Sequence, residues 1–143
     1  MSSRFMKKYI DILMEAISYN SLQDAGEDYA EGKNQIWYWK ENIGNEMMLG
    51  YDALREKNKL PDVTNLAATH VYIGAVAQDN PEMIYQLMQA ESWSPQNQAE
   101  SFIKKSGAGH TNMSTGDIII LNGNNPIMVD KLRFVNLATG EKL

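Results

Sequence analysis

Ile118-Ile119-Ile120-Leu121 is followed at once by Asn-Gly-Asn-Asn-Pro at 122–126, and then by a second apolar run that extends to about Leu137. Asn-Gly chemistry between two apolar runs is the strongest short-range signal for a β-hairpin, because Asn and Gly tolerate the positive φ such turns need. The chain is thereby committed to an antiparallel pair near its C-terminal end, with one return strand running through IMVDKLRFVNL. The segment just before it, GHTNMSTGDIIIL at 109–121, poses the functional question. A polar run with a histidine, hydroxyls and a Gly-Asp pair is either a catalytic loop or the bend that starts a buried strand.

The upstream segments supply what packs on this hairpin. In THVYIGAVA, residues 69–77, Val71, Ile73, Ala75 and Ala77 alternate, which is a strand pattern. Asn80-Pro81 is a helix start, cap then proline, followed by an apolar stripe of Met83, Ile84, Leu87 and Met88. Ser94-Pro95 repeats the device and predicts a helix burying Ala99, Phe102 and Ile103. Lys104 and Lys105 sit near its end and Gly107 is its left-handed cap. Phe5, Tyr9, Ile12, Leu13 and Ala16 predict an amphipathic helix over 4–18. Ile43, Met47, Tyr51 and Leu54 keep helical spacing, broken or capped near Gly44 and Gly50, and Pro61 ends the segment. The triplet Trp37-Tyr38-Trp39 fits a short strand as well as a helix. Residues 20–34 are a polar connector, and ATGEKL at 138–143 is a polar, frayed end.

This order predicts an α+β class: N-terminal helices packed with a helix pair against a small, mainly antiparallel sheet. At 143 residues one domain over 1–143 is expected, with 1–60 as a helical half and 69–137 as the α+β half. The chain has no cysteine, which removes disulfides, thiolate metal sites and cysteine nucleophiles and suits a cytoplasmic location. No apolar run nears the roughly 20 residues that cross a bilayer, so no membrane partner is expected. A net charge of −5 disfavours a nucleic-acid surface, which needs clustered Lys and Arg.

Within residues 109–121, His110 could serve as base to Ser114 or Thr111, and His70 could join them with Asp117 in a polar cleft. No nucleophile-elbow Gly-x-Ser-x-Gly accompanies them. The favoured reading is a structural turn at Ser114, Thr115, Gly116 and Asp117, in which the hydroxyls bond nearby backbone, Gly116 allows an unusual dihedral and Asp117 accepts amide hydrogens. His70 and His110 with Asp117 or Asp130 resemble a three-ligand zinc set only in residue type, so no metal is assigned. Asp24, Glu27, Asp28 and Glu31 lack the ligand pattern of an EF-hand. SGAGH lacks the lysine of a phosphate loop, so no cofactor is assigned. Trp37, Trp39, Met47, Met48 and Trp93 are the candidate protein-interaction surface, since aromatic and methionine side chains adapt to partners.

The motif-bearing half also resembles a known group. VYIGAVAQDNPEMIYQLMQ, GHTNMSTGDIIIL and IMVDKLRF are similar, over about residues 69–135, to YodL-like domains and related small phage and mobile-element proteins. The shared features are an extended segment, a short helix with an aromatic, a serine-rich bend ending in Ser-x-Gly/Ser-Asp, and a final strand carrying a Val-Asp and a Gly-Phe. Here these are Met113 to Asp117 and Val129-Asp130, and Trp93-Ser94-Pro95 matches an insertion of the phage versions. Where the family has Gly before the last Phe, Arg133 precedes Phe134. The resemblance implies an accessory protein, often of unassigned function, with no catalytic residues to carry over; the expected role for the chain is non-enzymatic, binding a host or phage macromolecule. The competing expectation is a small enzyme or ligand-binding domain built on His70, His110, Thr111, Ser114 and Asp117.

Overall fold

The structure, a computed structural model, describes residues 34–143. The predicted helix at 4–18 and the acidic connector carrying Asp24, Glu27, Asp28 and Glu31 lie outside the described residues. A five-stranded sheet in the order β2-β1-β3-β4-β5 forms the centre, and every pairing is antiparallel. Its strands are β1 Asn34–Trp39, β2 His70–Val76, β3 Ile118–Leu121, β4 Asn125–Asp130 and β5 Arg133–Asn136. The helices are α1 Gly44–Met47, α2 Tyr51–Glu56, α3 Pro81–Leu87, α4 Ala90–Trp93 and α5 Glu100–Ser106. The α+β class holds for the described residues.

Trp37-Tyr38-Trp39 is strand, and that corrects the helical reading at 34–39, within the described part of 1–60. β1 lies between β2 and β3, so the aromatic triplet belongs to the sheet. Strand geometry sends successive side chains to opposite faces, and both faces here are cores. Ile36, Tyr38, Ile73, Ala75, Ile119 and Val129 pack with Ile84, Met88, Trp93 and Ile103 from α3, α4, α5 and the bend after α3. On the other face Trp39, Ile118, Met128 and Val135 pack with Met47, Tyr51 and Leu54 from α1 and α2. Helices α1 and α2 therefore sit across the sheet from α3, α4 and α5 instead of packing with them. Burying one such side chain contributes about 1.5–3 kcal/mol before entropy is counted, so alternation over both faces is what holds β1 extended.

Several local expectations hold. Asn80 Oδ1 accepts from Glu82 N–H at 2.9 Å and Met83 N–H at 3.3 Å, capping α3. Gly107 ends α5 at φ 96°. The Asn122-Gly123 hairpin forms, with Leu121 opposite Asn125. Four others change. In β2, Ile36 pairs Gly74 while Trp37 pairs Tyr72, so Ile73 is an extra residue and the strand bulges. The simple alternation then fails beyond Ala75: Val76 is buried and Ala77 is exposed.

The helix expected from Ser94-Pro95 begins only at Glu100. Asn97 takes φ 64°, which interrupts a helix, and Ser94 Oγ accepts from Ala99 N–H at 2.9 Å across the resulting loop. The single return strand is two, β4 and β5, because Leu132 takes φ 63° in the turn between Asp130 and Arg133. The tail is tied down as well: Leu143 N–H donates to Phe134 O at 2.8 Å, and Lys142 donates to Asp52 at 2.8 Å.

Asp130 connects the last hairpin to the other face. Its Oδ1 accepts from Tyr51 N–H at 3.0 Å and so caps α2 from another strand. The residue in the N-cap position is Gly50 at φ 95°, where a Cβ would stand 2.8 Å from that same oxygen. No helix of the described residues is long and apolar enough to cross a membrane.

Candidate functional site

The corner at 110–117 is held by three strands. Asp117 N–H donates to Ser114 O at 2.9 Å, closing a tight turn, and Gly116 N–H and Val129 N–H exchange bonds of 2.8 Å with Val129 O and Asp117 O. β4 is thus zipped to the turn before β3 begins. Gly116 has φ 99°, and a Cβ on it would lie 2.8 Å from Met47 Cβ and 2.9 Å from Met47 O. Only glycine meets both demands.

Asp117 is wholly buried. Its Oδ1 accepts from Trp39 N–H at 2.9 Å and its Oδ2 from Ser114 N–H at 2.7 Å. His110 Nε2–H donates to the same carboxylate, 2.7 Å from Oδ2 and 3.0 Å from Oδ1. Burial pushes the Asp117 carboxyl above the usual carboxylate range, while His110 and the amides of Ser114 and Trp39 pull it back. The His110 ring lies between Trp39 and Tyr38, with centroids 3.8 Å and 4.5 Å away. Its Nδ1 is buried and has no hydrogen-bond partner.

His70 reaches the corner from β2. Gly116 O can only accept, so His70 Nε2 carries the proton and donates at 2.8 Å. Nδ1 then accepts from the Thr69 hydroxyl at 2.7 Å. Burial pushes the imidazole down to about 4, so it is neutral at pH 7. Tyr38 OH and Trp93 Nε1 both donate to Thr111 O, at 2.8 Å and 3.2 Å, and Trp39 Nε1 donates to Thr115 O at 3.0 Å. Ser114 Oγ donates to Asn112 O at 2.9 Å.

The structure therefore brings His70, His110, Ser114 and Asp117 to one place, whereas the Thr111 carbonyl is engaged by Tyr38 and Trp93. They meet as a packed joint between β1, β2, β3 and β4. A hydrolytic site needs a hydroxyl within hydrogen-bond reach of a free imidazole nitrogen. The free nitrogen of His110 has no such neighbour; at His70 the Thr69 hydroxyl donates to Nδ1 at 2.7 Å, a hydroxyl–imidazole pair, while Nε2 is held by Gly116 O. Among the described residues no group of three or more His, Asp or Glu is placed to hold a metal ion.

The five residues of the candidate interaction surface do not form one surface. Trp39, Met47 and Trp93 are core side chains, and Trp39 and Trp93 lie on opposite faces of the sheet. Met48 is 48% exposed, beside Leu49 at 40%. Trp37 is half-buried and meets Tyr72 edge to face at 5.5 Å. The triplet's alternation is the signal that separates Trp39 from a surface role, once β1 is known to have a core on each side.

The structural roles of two polar residues, Asn34 and Asp130, escaped the sequence reading. Asn34 is buried at the start of β1, where its Nδ2 donates to Gln78 O at 2.8 Å and to Val76 O at 3.2 Å, and its Oδ1 accepts from Asn122 N–H at 3.0 Å. Asp130 is the remote cap described above. Asn34 directly before the alternating apolar residues of β1 was the available signal; nothing local marks a cap supplied from another strand. Comparison of the chain with family models, with curated proteins and with solved structures finds no match.

Proposed function

We propose that this chain is a small non-enzymatic accessory protein, of the YodL-like kind found in phages and mobile elements, that acts by binding a host or phage macromolecule. A protein partner fits better than nucleic acid, given the net charge of −5. A cytoplasmic location belongs to the same proposal and rests on the lack of cysteine. The observation that carries the reading is the state of the Asp117 carboxylate. Both oxygens are engaged by main-chain N–H groups and His110, in a fully buried place. Buried and with both oxygens so engaged, the carboxylate is closed to a substrate and holds strands together. Exposed apolar side chains such as Met48 and Leu49 are available to a partner instead.

The small-ligand reading has one observation on its side, the unpartnered Nδ1 of His110. Affinity capture from host lysate with mass spectrometry, run beside a thermal-shift screen of small molecules, separates the two. The proposal expects a specific partner protein whose capture weakens in Met48→Glu or Leu49→Glu, and no stabilising small molecule. A compound that raises Tm and is lost with His110→Phe, with no partner recovered, contradicts it.

A further inference from the structure

Helix α3 and the β4–β5 hairpin enclose an open groove of about 320 Å3. Glu82, Tyr85 and Gln86 form one wall, and Val129, Leu132 and Phe134 the other. Tyr85 and Phe134 meet edge to face in it with centroids 6.5 Å apart. At the rim, Leu132 holds φ 63° and its side chain is fully in water at 105% relative exposure. The left-handed conformation is unfavourable for leucine and free for glycine, and the isobutyl group gains nothing from exposure. Two unfavourable choices on one residue, beside an aromatic groove wide enough for an aliphatic side chain, point to a use for that side chain outside its own chain.

The charges indicate the occupant. The hairpin tip reads Lys131-Leu132-Arg133, basic on both sides of the leucine, while the wall opposite presents Glu82 in the first turn of α3, with Asp79 just before the helix. Arg133 already lies 3.7 Å from Asp130 and 3.8 Å from Asp52. Lys131 and Glu82 have no ion pair among the described residues and are both exposed. Knob and groove, base and acid, occur together in one patch, which is the requirement for a surface complementary to itself under a two-fold rotation.

We propose that this patch is a symmetric self-association interface. Leu132 of each copy seats in the other's groove against Tyr85 and Phe134, and Lys131 faces Glu82 of the partner subunit. Under the two-fold rotation each copy gives and receives the same contact at one interface, so the assembly closes as a dimer and does not propagate. This inference stands independently of the accessory role above.

Sedimentation velocity of the full chain, from micromolar to millimolar concentration, reads the proposal. The wild type shifts from monomer to dimer mass as concentration rises. Leu132→Gly, which also relieves the backbone, stays folded by circular dichroism and raises the dimer Kd more than about tenfold. Glu82→Lys and Lys131→Glu each weaken the dimer, and the double variant restores it. A wild type that stays monomeric throughout overturns the proposal, including one that captures some other protein through Leu132. So does a Leu132→Gly variant that dimerises like the wild type, or a double reversal that restores nothing.

Discussion

Trp39 and Asp117 stand 78 positions apart and are joined by one bond, from the Trp39 amide to Asp117 Oδ1 at 2.9 Å. The two residues sit at the junction where β1 leaves the sheet and β3 enters it. The same carboxylate closes the turn through Ser114 and positions His110, whose ring stacks on Trp39. One buried carboxyl group thus fixes a strand end, a turn and an imidazole together. Three donors, two of them main-chain amides, offset the cost of burying it.

The turn itself depends on Gly116. Gly116→Ala adds a Cβ within contact distance of Met47 Cβ and O, at φ 99°. The expected loss is about 3 kcal/mol, combining strain and overpacking. Urea unfolding reads it as a lower midpoint at unchanged slope, and wild-type stability in this variant contradicts the placement of Met47 over the turn.

His70 makes the fold acid-sensitive. Its folded value is pushed down to about 4 from 6.5, so its stabilising effect is fully present above about pH 6.5 and is lost as pH falls toward 4. At about 1.4 kcal/mol per unit the loss amounts to roughly 3 kcal/mol. Asp117 works with the opposite sign, because a raised carboxyl stabilises below its ordinary range and loses that effect as pH rises. His70→Gln keeps a donor for Gly116 O but cannot titrate. Its stability, measured by chemical denaturation from pH 7 to 4, falls less steeply than that of the wild type, and parallel curves for the two proteins refute the assignment.

Asn34 ties the end of β2 and the β3–β4 turn to β1. Asn34→Leu leaves the Gln78 and Val76 carbonyls and the Asn122 amide without their side-chain partner. A loss of about 3 kcal/mol is expected. Amide exchange at Asn122 speeds up more than at Ile119 in the sheet interior, and equal acceleration at both sites denies a local role.

Legibility followed the range of the interactions. The hairpin at Asn122-Gly123, the Asn80-Pro81 helix start and the Gly107 cap are set by neighbours in sequence, and all three form as read. Trp37 to Trp39 were ambiguous because three residues do not distinguish a period of 2 from 3.6; two cores, one on each face, decide for strand. The split of the return strand rests on Leu132 in a conformation leucine rarely takes, which no local rule marks. At the site, the turn chemistry of Ser114 to Asp117 was readable. Its bonds to Trp39, His70 and His110 were not, since they join positions brought together only by the strand order.

Equilibrium unfolding of Asp117→Ala tests the corner most directly. The substitution leaves the buried amides of Trp39 and Ser114 and the His110 imidazole without their acceptor. A joint of the fold loses about 3–5 kcal/mol on that change. A reactive group held against the fold's own stability gives the reverse, an equally stable or more stable protein, and that result would contradict the account.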